Sequence, residues 1–198
     1  MQEPLAIQQR PWPILRGPHY NLIPFTEAHI TARYLGWLND PEVNRFLELR
    51  LVHQTRETAL AFVRSFFGET EKYMWAVCVN DGDEPIGTTT LYNIGRYHGC
   101  VEFGLLIGDK RYWGKGASEE AIELLARFAF DDLGLRRMTG GTYACNHGMN
   151  FTYRKLGFTL EGKERTAFHV RPGVYVHGLR WGLLADEWRL RHGHASQR

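Results

Sequence analysis

Residues 107–116 of the chain read IGDKRYWGKG, and the interpretation of the whole sequence starts from this glycine-rich stretch. A β-like run of largely apolar residues ends just before it, and an amphipathic segment follows it. The apolar positions of that segment recur at helical spacing, which predicts a helix with one core-facing side: Ala121, Leu124, Leu125, Phe128 and Ala129. The stretch is therefore predicted to be a tight turn between a strand and a firmly packed helix.

The start of such a helix is suited to bind an anion. Its first turn has main-chain N–H groups without partners and carries a partial positive charge. Gly114 and Gly116 allow a ligand to approach the main chain closely, and Lys110, Arg111 and Lys115 supply countercharge. The turn therefore predicts an oligophosphate site, and the basic residues favour a diphosphate over a single carboxylate.

Two common phosphate-binding motifs do not match this turn. A P-loop needs Gly-Lys followed by Ser or Thr after a longer glycine span, and residues 116–118, Gly-Ala-Ser, do not supply it. A dinucleotide-binding motif needs glycine or alanine at its sixth position, where Glu119 stands. The turn belongs to neither class.

The turn does match the pattern Gln/Arg-x-x-Gly-x-Gly/Ala through Arg111, Gly114 and Gly116, and here the sequence resembles the GNAT acetyltransferases. Residues 146–158, NHGMNFTYRKLGF, are similar to the Asn-x(6)-Tyr-x-Lys-x-Gly-Phe stretch of that family. Residues 37–43, WLNDPEV, resemble its RimJ/RimL-like subgroup. In the family, the glycine turn wraps the diphosphate of coenzyme A, so the resemblance implies acetyl-CoA as co-substrate.

The order of predicted elements agrees with a single GNAT-type domain of the α/β (α+β) class. Helices are predicted after caps at Thr26 and Thr55, with a brief one around residues 43–47. Strands are predicted at residues 21–25, 73–79, 86–92, 100–107, 137–144, 158–169 and 175–184, and later helices at residues 116–133 and 148–156. Meanders at both ends of a strand–helix–strand crossover predict a mixed, mostly antiparallel sheet with helices on both faces. The domain is assigned to residues 21–185, between an N-terminal extension (1–20) and a C-terminal tail (186–198).

The composition is that of a soluble globular chain with one core. The chain has 198 residues, of which 43% are hydrophobic and 23% charged, and a formal net charge of +2 from scattered basic residues. Such a charge gives no electrostatic footprint for nucleic acid. No apolar run resembles a signal peptide or a membrane helix. We therefore expect a cytoplasmic monomer or homodimer that engages neither nucleic acid nor a membrane.

The cysteines and histidines indicate neither disulfides nor a metal site. Cys78, Cys100 and Cys145 are odd in number and lie far apart in apolar runs, which favours small buried side chains. Metal-dependent hydrolysis would depend on scattered histidines, among them His192 and His194, with no carboxylate at ligand spacing. No metal is expected.

Two residues are predicted to carry the chemistry, since an amine must lose a proton before it attacks an acyl group. Glu102 lies between Val101 and Phe103 on the strand that enters the turn, where partial burial would raise its pKa and make it a general base, directly or through water. A solvent-facing or ion-paired carboxylate is the alternative. Tyr153 has the position of the family's acid, which protonates the departing thiolate; a core aromatic is the alternative.

The resemblance also implies which residues hold coenzyme A. Main-chain N–H groups near Leu106 and Ile107 would bind the acetyl carbonyl, as a splayed strand does in the family. Asn146 would bind the pantetheine arm, unless it only caps the helix that follows. The predicted coenzyme-binding residues are Leu106, Ile107, Gly108, Arg111, Tyr112, Trp113, Gly114, Lys115, Gly116 and Asn146.

The sequence leaves the acceptor amine open. RimJ/RimL-like enzymes include protein N-terminal acetyltransferases, and similar chains acetylate polyamines, amino sugars or antibiotics. Tyr97 and His98 precede the strand of Glu102 and are the preferred acceptor-binding residues. Trp12 and Tyr92 are further aromatics that would either stack on an acceptor or belong to the core. A chain that binds acyl-CoA without catalysis is the alternative from another functional class.

Overall fold

The computed structural model describes residues 12–68 and 71–193. Its strands are β1 (Leu15–Arg16), β2 (Tyr20–Pro24), β3 (Tyr73–Val79), β4 (Pro85–Gly95), β5 (Cys100–Ile107), β6 (Arg137–Tyr143), β7 (Thr159–Arg171) and β8 (Val174–Leu184). Its α-helices are α1 (Ala32–Asn39), α2 (Arg56–Arg64), α3 (Ala117–Arg127), α4 (His147–Leu156) and α5 (Ala185–His192). Helix α3 continues into a π-helical turn at Phe128–Asp132.

The described strands form one mixed sheet in the order β1-β2-β3-β4-β5-β6-β8-β7. The strands from β1 to β5 make an antiparallel meander, and β6, β8 and β7 make a second antiparallel block. The two blocks meet at β5 and β6, which pair in parallel because the connection through α3 crosses from one end of the sheet to the other. The predicted sheet is confirmed.

Helices cover both faces of this sheet. On one face, α3, α4 and α5 close a core that contains Trp75 and Trp181. On the other face, α1 and α2 close a second core around Phe25 and Tyr34. The predicted apolar side of α3 is buried: Ala121, Leu124, Leu125, Phe128 and Ala129. Among the helices that the structure describes, none has both the length and the apolar character that a membrane crossing requires.

The first helix starts later than predicted. Thr26 precedes only a short 3-10 turn at Glu27–His29. The α-helix begins at Ala32, because the side chain of Thr31 accepts a hydrogen bond from the N–H of Tyr34 at 3.2 Å and caps it there.

The brief helix predicted around residues 43–47 is wrong. These residues form turns, and a 3-10 turn follows at Glu48–Leu51. The side-chain amide of the buried Asn44 donates to the carbonyl of Leu38 at 2.8 Å. This bond stabilises a non-helical turn, a common role of asparagine side chains.

Both ends of the described chain pack onto the domain. Trp12 is buried and stacks on Phe67, with ring centroids 4.8 Å apart, so it is a core aromatic. Residues 12–20 of the predicted N-terminal extension include β1, which pairs with β2. Helix α5 occupies most of the described part of the predicted tail and buries Trp188. His194 lies outside the described residues.

Strands β5 and β6 separate after a short paired stretch. Their pairing ends at Glu102 and Thr139, although β5 continues to Ile107 and β6 to Tyr143. The sheet therefore has an opening at its centre, directly before the turn that leads to α3.

The turn after β5 packs closely on α1 at Gly108. A Cβ atom on Gly108 would lie 2.2 Å from Cδ2 of Trp37, which is closer than two non-bonded carbon atoms can approach. Gly36, on the same helix as Trp37, has no atom within 4 Å of the corresponding position.

We predict that Gly108→Ala lowers the free energy of unfolding by about 1–3 kcal/mol, because the added methyl group overpacks the contact with Trp37. Gly36→Ala is the matched control and is expected to leave stability unchanged or to raise it by up to about 1 kcal/mol, since alanine favours the helix. Chemical denaturation measures both. Equal stability of the two variants would contradict the close contact.

Candidate active site

A cleft of about 850 Å³ lies where β5 and β6 separate. It extends to the turn before α3 at one end and to residues 42–48 at the other. The predicted site residues that line it are Glu102, Leu106, Ile107, Tyr112, Trp113, Gly114, Gly116, Asn146 and Tyr153. Gly108, Arg111 and Lys115 are within the described part of the chain but do not line it.

The turn before α3 presents free main-chain donors to the cleft. The N–H groups of Gly114, Gly116, Ala117 and Ser118 make no hydrogen bond to another described residue. Gly114 and Gly116 have φ angles of 71° and 81°, in the left-handed region that favours glycine. A Cβ atom at either glycine would meet nothing within 4 Å, so the space in front of these donors is open. This arrangement fits the diphosphate of coenzyme A.

Most of the basic side chains of the turn form ion pairs with carboxylates of the protein. Arg111 donates to Asp109 from Nη2 at 2.7 Å, and Lys110 pairs with Asp40 at 2.8 Å. The hydrogen bonds from Arg111 lower the pKa of Asp109 to about 2. Lys115, the third basic residue of the turn, makes no ion pair with a described residue. Arg111 therefore helps to fix the shape of the turn, and a countercharge from Arg111 or Lys115 to a bound phosphate stays a prediction.

One edge of β5 faces the opening. The carbonyl of Val101 accepts a hydrogen bond from Oγ1 of Thr139 at 3.2 Å and therefore points towards β6. Main-chain groups alternate in direction along a strand, so the N–H groups of Leu105 and Ile107 also point to the β6 side, where no strand pairs with them. The N–H of Leu106 points towards β4. Leu105, which sequence analysis missed, replaces Leu106 as a main-chain donor to the cleft.

Glu102 differs from the other carboxylates of the cleft. Those found among the described residues are Glu42, Glu48, Glu102, Glu119 and Glu164. Four of the five have a cationic partner: Lys110 for Glu42, Arg50 for Glu48, Lys155 for Glu119 and Arg180 for Glu164. Glu102 is half-buried, makes no ion pair with a described residue, and accepts one hydrogen bond, from the Asn93 amide at 3.3 Å. It is therefore the lining carboxylate most available to a ligand.

Tyr153 lies at the point where the strands separate. Its ring is buried and stacks on Trp181, with centroids 5.5 Å apart. A Cβ atom on Gly140, the residue after Thr139, would lie 2.2 Å from the hydroxyl of Tyr153. Burial raises the pKa of this phenol, and the hydroxyl makes no hydrogen bond to another described residue. A protonated phenol hydroxyl without a hydrogen-bond partner among the described residues therefore lies at the edge of the opening.

Asn146 caps α4, as the alternative interpretation held. Its side chain accepts a hydrogen bond from the N–H of Met149 at 3.2 Å. It also lines the cleft, together with Cys145. Cys145 is exposed, so the expectation of a buried thiol is wrong at this position, because the residue lies in the turn after β6 rather than in the sheet.

The predicted acceptor-binding pair is not brought to the cleft. Tyr97 is 96% exposed and contacts His98 edge to face in the turn between β4 and β5, with ring centroids 4.9 Å apart. Neither residue lines the cleft, although both are described. Tyr92 does line it. Pairing of Gly95 with Cys100 directs the turn away from the opening.

The end of the cleft at residues 42–48 includes aromatic residues that sequence analysis did not single out for the site, beside Glu48. Tyr143 stacks on Phe168, with centroids 4.1 Å apart, and packs edge to face on Phe46 at 5.8 Å. The hydroxyl of Tyr143 donates to Glu48 and accepts from Arg50. Burial raises the pKa of Tyr143 to about 12. These residues come from segments that only the tertiary fold brings together, so no local motif identifies them.

A central opening between parallel strands, followed by free N–H donors at a helix start, is the arrangement implied for an acetyl-CoA-dependent acyltransferase. A family model described as an acetyltransferase (GNAT) domain matches residues 20–159. The chain belongs to this family, which confirms the resemblance and places it by class among the N-acetyltransferases.

Similar proteins have names that differ in whether an acceptor is given and in which acceptor it is. The SPbeta prophage-derived YokL of Bacillus subtilis strain 168, named as an uncharacterized N-acetyltransferase, is 27% identical over 117 residues, which are 59% of this chain. The match spans 65% of that relative, just under two thirds of its length. The RimL ribosomal L7/L12 acetyltransferase, solved with coenzyme A, is 18% identical with a TM-score of 0.77, covering 88% of this chain and 99% of its own. The spermidine N-acetyltransferase of Vibrio cholerae, solved with coenzyme A and spermine, is 17% identical with a TM-score of 0.77, covering 87% and 99%. The last two likenesses show the fold alone.

We predict that Gly114→Val raises the Kd for coenzyme A at least about tenfold, because its side chain enters the space in front of the free N–H groups and the residue resists a positive φ. Isothermal titration calorimetry measures the Kd. Gly82→Val is the matched control: Gly82 also has a positive φ, 83°, and open space around it, but lies in the β3–β4 turn. Equal Kd values for the two variants would contradict a ligand at the turn.

Proposed function

We propose that this chain binds acetyl-CoA in the central cleft and transfers the acetyl group to a primary amine by direct attack in a ternary complex. The acceptor is a protein N-terminus or a small amine. The observation that carries the proposal is the unpaired carboxylate of Glu102 beside the opening between β5 and β6. The known structures that share this fold and contain coenzyme A support the choice of co-substrate.

The chain's own groups fit the co-substrate along the whole cleft. The N–H groups of Gly114, Gly116, Ala117 and Ser118 would hold the diphosphate, and Lys115 would neutralise part of its charge. The unpaired edge of β5 would hold the pantetheine amides and the thioester, since a buried main-chain group without a partner costs free energy. Asn146 and Trp113 line the same path.

Glu102 is proposed as the general base. A primary ammonium group of the acceptor is attracted to this unpaired carboxylate, which accepts a proton directly or through a water molecule. The neutral nitrogen then attacks the thioester carbonyl carbon, and a C–N bond forms. The N–H groups of Leu105 and Ile107 stabilise the negative charge that develops on the carbonyl oxygen.

Tyr153 is proposed as the general acid. When the C–S bond breaks, the departing thiolate needs a proton, and a phenol of raised pKa remains protonated until that moment. Proton transfer from the hydroxyl of Tyr153 gives free coenzyme A. The nitrogen loses its second proton to the resulting tyrosinate, directly or through water, so the acceptor leaves as an amide, and the proton held by Glu102 passes to solvent. The positions of the two groups on either side of the separating strands support this division of roles.

Two alternatives remain to be distinguished by experiment. The acceptor could be an amino sugar, a nucleotide sugar or an antibiotic amine. A non-catalytic acyl-CoA-binding module would use the same turn but release no thiol with any amine. Its cleft would not need an unpaired carboxylate beside the thioester, so Glu102 favours the enzyme.

A thiol-release assay with acetyl-CoA tests the proposal. The acceptors are peptides with free N-termini, spermidine, glucosamine and an aminoglycoside. We expect acceptor-dependent release of free coenzyme A with at least one of them, and mass spectrometry should show one added acetyl group. Binding of acetyl-CoA without release across the panel would support the non-catalytic alternative.

We predict that Tyr153→Phe lowers kcat by about 10²-fold or more while the Kd for acetyl-CoA stays unchanged, because only the proton donor is lost. Tyr175→Phe is the control, since Tyr175 is 59% exposed on β8. Steady-state kinetics and calorimetry measure the two constants. An unchanged kcat would remove Tyr153 from the mechanism.

We predict that Glu102→Gln lowers kcat/KM by about 10²-fold at neutral pH, and that part of the activity returns as the pH rises and more acceptor amine is neutral. Glu57→Gln on the exposed side of α2 is the control. Rates are measured across a pH series. A Glu102→Gln enzyme with the wild-type pH profile would show that the base lies elsewhere.

A further inference from the structure

Arg180 is an oriented cation in the cleft with unused donors. Its Nε donates to Glu164 at 3.0 Å, which fixes the direction of the guanidinium group. Its Nη1 and Nη2 groups make no hydrogen bond to another described residue, and neither is among the buried polar atoms that lack a partner. The residue lines the cleft, so these donors are open to a ligand.

The guanidinium group lies close to the proposed reaction centre. Arg180 on β8 pairs with Gly141 on β6, and a Cβ atom on Gly141 would lie 3.2 Å from Nη1. The group therefore bends over β6, the strand whose pairing with β5 ends at Glu102. The pKa of Tyr92 responds to the charges of both Glu102 and Arg180. Burial has the largest effect and raises this pKa, the charge of Glu102 raises it further, and the charge of Arg180 lowers it.

The charges of the cleft do not suit a polycation. The lining carboxylates other than Glu102 already have cationic partners within the described residues. A polyamine needs several free carboxylates, one for each ammonium group, because burying an unpaired charge is costly. The cleft instead offers one carboxylate without an ion pair, and its lining cations include Arg180, whose Nη1 and Nη2 groups make no hydrogen bond to another described residue.

We propose that Arg180 determines acceptor specificity by binding an oxygen atom next to the reacting amine. This rests on the proposed function of the cleft. Glu102 would receive the ammonium group and Arg180 the neighbouring oxygen, so both charged groups are satisfied at once. The acceptor is then an α-amino-acyl compound, in which a carbonyl or carboxylate follows the amine by one carbon. A peptide N-terminus and a free amino acid share this chemistry, and an alkylamine or polyamine lacks it.

The test compares matched acceptors on the wild-type enzyme and variants. The acceptors are an alanyl peptide, free alanine, isopropylamine and spermidine. Wild-type kcat/KM should be at least about tenfold higher for one of the two alanine compounds than for the two amines without oxygen. In Arg180→Gln, the KM for alanine compounds should rise about tenfold or more, the size expected for a lost hydrogen bond from a charged group. The KM for isopropylamine and the Kd for acetyl-CoA should stay unchanged.

Further variants separate this role from a structural one. Gly141→Ala, whose added methyl group would lie 3.2 Å from Nη1 and shift the guanidinium group by a few tenths of an ångström, should give a smaller rise in KM confined to the same acceptors. Arg165→Gln is the control, because Arg165 is exposed on β7 and makes no ion pair with a described residue. Arg180→Lys should recover part of the activity with both alanine compounds, since it keeps a charged N–H donor and loses only the paired donors of the guanidinium group. A larger loss for alanine than for the peptide identifies a carboxylate as the natural partner, and the reverse identifies a carbonyl.

Several results would overturn the proposal. One is an equal loss for all acceptors in Arg180→Gln, and another is a raised Kd for acetyl-CoA, which would make Arg180 a co-substrate contact. Preference of the wild-type enzyme for spermidine would also overturn it. If no acceptor releases thiol, the proposed function fails. The role of Arg180 is then tested by calorimetry, which measures the Kd of the alanyl peptide for the coenzyme A complex. Equal Kd values for the wild type and Arg180→Gln refute that role.

Discussion

The arrangement of this molecule depends on the loss of pairing between β5 and β6 after Glu102 and Thr139. Beyond that point, one edge of each block of the sheet faces a cleft instead of another strand. The main-chain donors of this edge that point into the cleft have no partner strand among the described residues. A ligand with amide and carbonyl groups along its length can satisfy them, which explains why an extended co-substrate suits this opening.

The glycines of β6 make this opening usable. Gly140 leaves room for the hydroxyl of Tyr153, and Gly141 leaves room for the guanidinium group of Arg180. Side chains at these two positions would fill the cleft from opposite faces of the sheet. The strand thus has the hydroxyl of Tyr153 at one of its glycines and the guanidinium group of Arg180 at the next, while its own backbone stays paired with β8.

Much of the fold follows from local sequence patterns. The strands at residues 73–79 and 100–107 have the predicted bounds, and the buried side of α3 follows from apolar spacing. Such patterns depend on neighbouring residues alone. The predicted helix around residues 43–47 failed because the Asn44 side chain bonds to the main chain, a choice that periodicity does not reveal.

The spacing of residues alone predicted the candidate site only where one segment forms it, whereas Asn146 and Tyr153 were found through the resemblance to the family. The turn at Gly114 and Gly116 was found because its donors, glycines and helix are contiguous. The side chain of Arg111 was expected at the phosphates, but Asp109 binds it. Arg180 was missed because its place over Gly141 depends on the register of two strands far apart in sequence.

The contact between the glycine turn and α1 has a thermodynamic consequence. The indole of Trp37 packs on Gly108, and Lys110 bridges the turn to Asp40, just before the lining residues at 42–48. The two ends of the cleft therefore share one connection. If a ligand at one end changes the affinity for a ligand at the other through this connection, reciprocity requires the second ligand to change the affinity for the first by the same factor.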